Sequence, residues 1–475
     1  MKILFAASEA APFVKTGGLG DVALALPKAL SAAGHEVKIF IPLYGRIKND
    51  PRYKDKLGCI AETNTRLGWR NQYTGIWKYK GGKGPEYYFI DNEYYFARDG
   101  KSIYGDYDDG ERFSFFSRAV IEAMGVTGFV PDVIHCNDWQ TAALPVFLRR
   151  FFPQYGGVKV LFTIHNIEYQ GKMPCDFAGD VMGLDGGDTG TVEYDGCVNL
   201  MKGAIVTSDA VSTVSETYAE QILDPFYSHG LHSILAENRY KLSGVVNGID
   251  TDVFNPATDR HLYMNYVSSL EKKRRNKVFL QEKMGLKPDE NVPLIAMVSR
   301  LVSHKGLDIV ESILDGIASS GAQLALLGSG DSRFEQSFSD AARRHPGKIA
   351  VCINFDPELA SQMYAGADMF LMPSLSEPCG LSQLIAMRYG CVPIVRETGG
   401  LKDTVPAFDP SDHSGSGFTF VDYNGGELFY AVKRCLDLYF GDRKAFEELQ
   451  KHNIKLDFSW KKPVEKYVSL YDSLK

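Results

Sequence analysis

The chain has 475 residues, 44% hydrophobic and 23% charged, which is the balance of an ordinary globular protein that is too long for one hydrophobic core. Its formal net charge of -7 argues against nucleic acid and anionic membranes as partners, since both require a basic face. Eight scattered cysteines without C-x-x-C spacing, no signal-peptide pattern and no apolar run of about 18 residues predict a cytoplasmic protein without disulfides or a membrane span.

Short β-branched runs alternate with helix-like stretches through the first half of the chain. They predict strands at residues 2–7, 37–42, 87–90, 133–136, 159–165 and 210–215. Because strands that alternate with helices form right-handed βαβ units, this half is predicted to be a doubly wound α/β domain with a mainly parallel sheet.

A glycine cluster, KTGGLGDVA at 15–23, follows the first predicted strand and precedes a helix-like stretch. Gly18, Gly20 and Ala23 fit the G-x-G-x-x-G/A pattern of dinucleotide-binding turns. Eight residues, Ser8 to Lys15, follow the strand before the Thr-Gly-Gly sequence, however, and the second strand runs into Pro-Leu-Tyr at 42–44 without an acid for a ribose. The sequence therefore disfavours a nicotinamide dinucleotide.

The same rhythm returns in the second half, with strands predicted at 294–300, 322–328, 348–353, 369–374 and 392–397. It predicts a second doubly wound domain. The turn signal Asn247-Gly248 places the boundary there, with a first domain at 1–246 and a second at 247–456. The dense basic run EKKRRNK at 271–277 is interpreted as a solvated helix face.

Two glycine loops and three cations predict an anion site. The letters TGGL at 16–19 recur at 398–401, each time between a strand and a helix-like stretch, where backbone N–H groups can approach an anion closely. Ligands of open α/β sheets bind beyond the carboxyl ends of the strands, so two facing domains predict one shared cleft. With Lys15 beside the first loop, and Arg300 and Lys305 after a strand, this cleft is expected to hold a diphosphate.

Seven separated segments resemble those of bacterial and plastid glycogen and starch synthases, in the same order and over nearly the whole chain. They are KTGGLGDV at 15–22, HCNDWQTAALP at 135–145, FTIHNIEYQG at 162–171, VVNGID at 245–250, VSRLVSHKGLD at 298–308, SEPCGLSQLIAMRYGCVPIV at 376–395 and TGGLKDTV at 398–405.

The resemblance implies a GT-B fold, in which two Rossmann-like domains face a cleft. It implies transfer of glucose from ADP-glucose to the non-reducing end of an α-1,4-glucan with retention of configuration, the first domain being on the acceptor side and the second binding the nucleotide sugar. It also implies that segment 457–475 is a helix that crosses back to the first domain. The packing stripe of that helix is expected to be Trp460, Val464, Tyr467, Val468 and Tyr471.

The same resemblance gives roles to individual residues. Arg300 and Lys305 are expected to stabilise the charge that develops on the departing diphosphate, because a planar guanidinium and a mobile ammonium complement each other there. Glu377 is expected beside the transferred glucose and His165 in contact with it, which completes the predicted catalytic set. The predicted donor contacts are Lys15, Gly18, Phe355, Cys379, Gly380, Thr398, Gly399 and Gly400, and the predicted sugar or acceptor contacts are Asp21, Tyr95, Asp138 and Asn247.

Several of these positions also have plainer interpretations. Phe355, expected to stack on the nucleobase, also fits a buried core phenylalanine, and Glu377 fits a carboxylate at a helix start. Cys379 has no evident base partner, so a packed small residue is preferred to a nucleophile. The one Asp-x-Asp, at 106–108, fits a polar loop before a helix, and with two cations available neither a metal nor a cofactor is expected.

Two other functions compete with glucan synthesis. One is a related GT-B transferase with a different acceptor, such as a sucrose- or glycolipid-forming enzyme. The other is a catalytically silent glucan-binding homologue, which the combination of Lys15, Arg300, Lys305 and Glu377 disfavours. The residues alone do not distinguish ADP-glucose from UDP-glucose, or a same-face displacement from a covalent intermediate.

Overall fold

A computed structural model describes residues 1–81, 84–98 and 102–475. These residues divide into two compact units, one formed by Met1–Asn247 with Trp460–Lys475 and the other by Gly248–Ser459. Within the described ranges, no helix combines the length and apolarity needed to cross a membrane.

Among the described residues, unit 1 contains a large sheet of nine strands and a small sheet of three, β8, β10 and β9. The strands of the unit are β1 Lys2–Ala6, β2 Glu36–Pro42, β3 Leu57–Leu67, β4 Arg70–Tyr79, β5 Glu86–Asp91, β6 Val133–Asn137, β7 Lys159–Ile164, β8 Lys172–Met173, β9 Glu193–Tyr194, β10 Cys197–Asn199, β11 Ala210–Thr213 and β12 Leu242–Gly244. Its helices up to the unit boundary are α1 Gly18–Ala32, α2 Gly45–Lys48, α3 Glu93–Phe96, α4 Asp109–Thr127, α5 Ala143–Phe151, α6 Phe177–Asp180, α7 Leu200–Thr207, α8 Glu216–Gln221 and α9 His232–Glu237.

The strand order of the large sheet is β12-β11-β7-β6-β1-β2-β5-β4-β3. From β12 to β5 every neighbouring pair is parallel, whereas β4 and β3 add an antiparallel edge. Strand order reverses at β1, which lies between β2 and β6. Ligands of open parallel sheets bind outside such a reversal, so the loops after β1 and β6 are the places to examine in this unit.

The β3–β4 hairpin was not predicted from the sequence. Along residues 61–67 of β3, exposed polar residues alternate with partly or fully buried ones, as expected at an antiparallel edge with one solvated face. The sequence search selected continuous apolar runs, which identify strands buried on both faces, and therefore missed this pattern.

Unit 2 is a fully parallel sheet with the strand order β15-β14-β13-β16-β17-β18. The strands are β13 Leu294–Val298, β14 Gln323–Gly328, β15 Ile349–Ile353, β16 Met369–Met372, β17 Val392–Arg396 and β18 Phe418–Phe420. The helices are α10 Leu270–Met284, α11 Leu307–Glu311, α12 Leu314–Ser319, α13 Ser332–Arg344, α14 Pro357–Gly366, α15 Ser382–Arg388, α16 Gly399–Thr404, α17 Gly425–Gly441 and α18 Arg443–Lys455.

Both faces of this second sheet are covered. Along β13, Ile295 and Met297 belong to one hydrophobic cluster, and Leu294 and Ala296 to another. Alternate side chains of a strand point to opposite faces, so the two clusters are the two layers of a doubly wound domain. Strand order reverses between β13 and β16, and the ligand site of unit 2 is expected beyond their carboxyl ends.

The last helix, α19 Lys461–Asp472, belongs to unit 1. Val464, Tyr467 and Tyr471 are buried in the hydrophobic core of unit 1, and Val468 packs against it. The hydroxyl of Tyr471 and Nδ1 of the buried His135 also share a hydrogen bond of 2.8 Å. The helix is thereby fixed by both apolar and polar contacts.

The basic run at 271–277 lies on α10, but its interpretation as a solvated face is wrong for two lysines. Lys273 is buried and its ammonium donates to the carbonyls of Tyr364, Ala365 and Tyr389 at 2.9–3.2 Å. Lys277 is buried as well and forms an ion pair of 2.8 Å with Asp368. Buried carbonyls and a carboxylate thus compensate the cost of burying these charges, which a run of basic letters does not reveal.

Candidate active site

A cavity of about 160 Å³ opens in unit 2 where strand order reverses, beyond the carboxyl ends of β13 and β16. Its polar lining includes Ser299, Arg300, Lys305, Ser374, Glu377 and Ser382. The structure thus brings together three of the four residues predicted to be catalytic, at the edge of the sheet where ligands of such folds bind.

Lys305 and Glu377 form the central ion pair of this cavity. Nζ of Lys305 lies 2.7 Å from Oε2 of Glu377, and the hydroxyl of Ser374 donates to the same oxygen at 3.0 Å. Both charged side chains are largely buried, at 17% and 8% exposure. Because little water reaches the pair to screen it, the two charges interact strongly with any anion that enters the cavity.

Close backbone packing positions this pair. Lys305 ends a 3-10 turn at Ser303–Lys305, and Gly306 follows with a φ of 76°. A Cβ on Gly306 would lie 2.1 Å from the carbonyl oxygen of Pro373, so only glycine allows the two segments to approach this closely. The N–H of Leu375 donates to the carbonyl of His304 at 2.9 Å and joins them.

Arg300 follows β13 and lines the same cavity, but its side chain is exposed. Among the described residues its guanidinium forms no ion pair. An uncompensated guanidinium in a cavity is suited to two parallel hydrogen bonds to a phosphate group. The arrangement offers one cation held by Glu377 and one available to a ligand.

The second glycine loop packs on the loop that carries Glu377. A Cβ on Gly399 would lie 2.0 Å from the carbonyl oxygen of Glu377, and one on Gly400 would lie 2.2 Å from that of Cys379. The N–H of Gly400 already donates to the Glu377 carbonyl at 3.1 Å. Both glycines are therefore explained by close packing, and their predicted contact with a diphosphate stays a prediction.

The other predicted donor contacts of unit 2 differ in accessibility. Phe355 follows β15 with 72% of its surface exposed, which excludes the core alternative and leaves its ring available for stacking. Thr398 and Cys379 are buried, whereas Gly380 lines the cavity with a φ of 72°. Glycine at position 380 is thus favoured by the left-handed backbone conformation.

In unit 1 the first glycine loop folds around a carboxylate that sequence reasoning missed. Glu9, only 2% exposed, accepts hydrogen bonds from the N–H of Thr16 at 2.7 Å, the hydroxyl of Thr16 at 2.6 Å and the N–H of Gly20 at 3.0 Å. Burial raises the pKa of Glu9, while these donors oppose the rise. A signal was present, because Ser8-Glu9 places an acid directly after β1 at the reversal of strand order.

Lys15 lies on this loop, and Gly18 and Asp21 lie in the first turn of α1, which follows it. Gly18 is the first residue of α1 and is exposed, so its N–H lies at the positive end of a helix 15 residues long. The ammonium of Lys15 forms an ion pair of 2.7 Å with Asp21 in the first turn of the helix. The carboxylates of Glu9 and Asp21 therefore balance part of the positive charge that Lys15 and the helix N-terminus would offer to an anion.

Asp138 and His165 meet beyond the carboxyl ends of β6 and β7. Oδ1 of Asp138 accepts the N–H groups of His165 and Asn166 at 2.7 and 3.2 Å, and Nε2 of His165 lies 2.9 Å from Oδ1 of Asn137. An amide oxygen only accepts, so Nε2 carries the proton and Nδ1 is the ring nitrogen that can accept. Asp138 itself adopts a φ of 57°, an uncommon conformation that suggests a functional constraint.

Burial controls the charge of this pair. It lowers the pKa of His165 to about 3, so the imidazole is neutral at physiological pH. It also raises the pKa of Asp138 to about 7, although the two N–H donors act in the opposite direction. Asp138 is therefore a carboxyl group that titrates near neutrality.

Two predicted sugar contacts are buried. Tyr95 is fully buried and its hydroxyl donates to Glu111 at 2.5 Å, and its contact with a sugar stays a prediction. The apolar ring of Tyr95 packs against Phe115, which explains its burial. Asn247 is also buried, and its Oδ1 lacks a hydrogen-bond partner among the described residues.

The acidic stretch at 106–109 is tied down by arginines. Oxygens of Asp106, Asp108 and Asp109 lie within 4.8 Å of one another. Arg98 binds Asp106 at 2.9 Å and Asp108 at 2.7 Å, and Arg112 binds Asp109 at 2.7 Å. The ion pairs with these arginines account for the clustered acids, because they stabilise the loop before α4.

The doubly wound sheets of both units and the cation-lined cavity of unit 2 are features of glycosyltransferases with the GT-B fold. In agreement, the family model described as "Starch synthase catalytic domain" matches residues 2–237, and that described as "Glycosyl transferases group 1" matches residues 279–452. The chain belongs to the glycogen and starch synthase family. It is 46% identical to the glycogen synthase of Clostridium acetobutylicum and 45% identical to that of Geobacillus stearothermophilus, covering 100% and 98% of those proteins and 100% of itself.

Solved structures agree with this assignment. The catalytic domain of starch synthase IV from Arabidopsis thaliana, bound to ADP and acarbose, superposes with a TM-score of 0.91 at 34% identity, over 100% of this chain and 99% of that one. A sucrose-phosphate synthase from Thermosynechococcus elongatus superposes with a TM-score of 0.61 at 17% identity, over 100% and 98%. The second likeness concerns the fold alone. The predicted GT-B fold is confirmed.

Proposed function

We propose that the protein transfers glucose from ADP-glucose to the non-reducing end of an α-1,4-glucan with retention of configuration and without a metal ion. The observation that carries the proposal is the ion pair of Lys305 and Glu377 next to Arg300, in a cavity at the strand-order reversal of unit 2. Supporting the donor class, the Arabidopsis relative is bound to ADP.

The charges of unit 2 suit the departure of a nucleoside diphosphate. As the bond between glucose and phosphate breaks, negative charge accumulates on the diphosphate and positive charge on the sugar. Arg300 offers two parallel N–H donors to the negative charge on the diphosphate, and Lys305 offers an ammonium group to the same charge. The Glu377 carboxylate, which is held by Lys305 and Ser374, is available to balance the positive charge on the sugar and to bind sugar hydroxyls.

The residues of unit 1 suit a neutral, hydroxyl-rich substrate. His165 is uncharged, with Nδ1 available to accept from a sugar hydroxyl. Asp138 holds the backbone of His165 and Asn166, and therefore sets the position of that ring. In a same-face displacement the departing phosphate takes the proton of the acceptor hydroxyl, so these residues need only bind and orient.

Three measurements test the finer points of the proposal. Incorporation of labelled glucose into glycogen from ADP-glucose and from UDP-glucose decides the donor. NMR of the new linkage decides the stereochemistry, since inversion would give a β-linkage. Full activity in EDTA is expected, and a loss restored by a divalent cation would contradict the metal-free mechanism.

A further inference from the structure

Asn137 is the last residue of β6, the strand next to the reversal of strand order at β1 in unit 1. Its side chain is fully buried, and its amide nitrogen donates to the carbonyl of Ala6 at 3.0 Å and to that of His135 at 3.3 Å. Its amide oxygen lies 2.9 Å from Nε2 of His165. One buried amide therefore connects β1 and β6 to the residue that follows β7.

The two carbonyls fix the orientation of this amide. In the flipped orientation its oxygen would face the carbonyl oxygens of Ala6 and His135, and neither contact would contain a proton. The amide nitrogen therefore lies on the side of the carbonyls and the amide oxygen on the side of His165. Because this oxygen can only accept, the proton of the neutral imidazole is held on Nε2.

The backbone of Asn137 is fixed as well. Its N–H donates to Oγ1 of Thr141 at 2.7 Å, and the same hydroxyl donates to its carbonyl oxygen at 2.9 Å. Every polar atom of the residue thus has a partner, and a buried polar group with all its hydrogen bonds formed favours a single conformation. Among the described residues Nδ1 of His165 has no partner, so this acceptor is open to a ligand.

We propose that Asn137 is a positioning residue for glucose transfer, because it fixes His165 in the Nε2-protonated tautomer and leaves Nδ1 to accept from a hydroxyl group of the substrate. In the opposite tautomer Nδ1 would carry the proton, and the same hydroxyl would have to reverse its hydrogen bond. His165 contacts the substrate in the proposed mechanism, and Asn137 acts through it. The inference rests on the proposed function only in that the hydroxyl belongs to a sugar.

The alternative is that Asn137 only joins neighbouring segments of backbone. Such a role requires the amide nitrogen and two carbonyls but not the amide oxygen. Asn453 in unit 2 illustrates it, since this fully buried residue donates to the carbonyls of Cys391 at 3.1 Å and Ser416 at 2.8 Å, and its Oδ1 has no hydrogen-bond partner within the described part of the chain. Asn453 is therefore a matched control that joins backbone segments without holding a histidine.

Two-bond proton–nitrogen correlation NMR of the full chain with isotope-labelled histidine reports the tautomer directly and needs no substrate. The signals of His165 are assigned by their absence from His165→Ala. We expect a protonated Nε2 and an unprotonated Nδ1 in the wild type, and a mixture of both tautomers in Asn137→Ala. A protonated Nδ1 in the wild type overturns the inference even if the variant does not fold, and so does a spectrum of folded Asn137→Ala that equals that of the wild type.

A double-mutant cycle separates positioning from stability. Asn137→Ala should lower kcat/KM for ADP-glucose about tenfold, whereas in the His165→Ala background it should change kcat/KM by less than about twofold, because the ring that it positions is gone. Asn453→Ala should lower thermal stability and leave kcat/KM within about twofold of the wild type. Equal losses on Asn137→Ala in both backgrounds overturn the inference in favour of a structural role. Failure of the wild type to use ADP-glucose would refute the proposed donor, and the NMR spectra would still decide the role of Asn137.

Discussion

The ammonium of Lys305 lies 2.7 Å from the carboxylate of Glu377, and this contact joins the turn after β13 to the loop after β16. Ser374 shares the same carboxylate oxygen. One contact therefore holds an acid and a cation side by side in the cavity, where the proposed mechanism uses the acid for the sugar and the cation for the phosphate.

Replacing Lys305 with Ala is expected to lower kcat by about 100- to 1,000-fold, the usual effect of removing one group that stabilises developing charge. Because Glu377 then loses its ion partner in a largely buried position, the free energy of unfolding should fall by about 1–3 kcal/mol. Urea denaturation and steady-state kinetics measure the two effects. Lys283→Ala is a suitable control, since its ion pair with Glu358 lies on a more exposed surface.

Replacing Glu9 with Ala is expected to loosen the first glycine loop, because three hydrogen bonds to Thr16 and Gly20 lose their acceptor. The KM for the donor should rise more than kcat falls, since Lys15 and Gly18 lie on that loop. Glu9→Gln keeps one acceptor oxygen and should recover part of the affinity. Unchanged donor KM in Glu9→Ala would show that the loop does not bind the donor.

The rise of activity on the acid side of the pH profile is expected to reflect the ionisation of Asp138. Its pKa of about 7 lies above its ordinary value of 3.8, so between these values the folded protein holds a proton that the unfolded chain has lost. The stability contributed by Asp138 is thus full below about pH 4 and declines as the pH rises to about 7. Activity with glucan should rise through the same pH 7 step, as the carboxylate becomes a stronger acceptor.

The step is expected to disappear in Asp138→Asn. His165 cannot produce it, because its pKa of about 3 lies below the ordinary 6.5 and the ring is neutral across the assay range. The stability that this neutral ring contributes is present above pH 6.5 and is lost as the pH falls towards 3. A step near pH 7 that persists in Asp138→Asn would assign the titration to another group.

Tyr471→Phe should destabilise unit 1 by about 1–2 kcal/mol, because Nδ1 of the buried His135 loses its partner while the ring packing is kept. Thermal unfolding measures the change. Lys466→Ala on the same helix removes only an exposed ion pair with Glu216 and should cost less than about 1 kcal/mol. Equal effects of the two substitutions would mean that the hydroxyl does not contribute to docking of α19.

The strands buried on both faces could be predicted from the sequence, because continuous apolar runs such as those of β13 and β14 are distinctive in one dimension. The β3–β4 hairpin could not, since its alternating polar residues match a solvated edge only once its partners are known. Arg300 and Lys305 were found from their place after a strand, and Glu377 was found because its segment resembles a known family. The structure places all three around one cavity.

Burial and pairing were less predictable. The burial of Tyr95 was not evident from its sequence. Lys273 and Lys277 were interpreted as solvated, although carbonyls and Asp368 hold them inside. Glu9 escaped notice because a buried acid resembles an exposed one in sequence. In each case the deciding quantity is the set of neighbours brought in from distant parts of the chain.

The most direct test of the central claim is the transfer of labelled glucose to glycogen from ADP-glucose and UDP-glucose side by side, with Lys305→Ala as the matched variant. We predict strong incorporation from ADP-glucose, little from UDP-glucose, and a loss of about 100-fold or more in the variant. Incorporation from neither donor, or equal activity of Lys305→Ala and the wild type, would contradict the account.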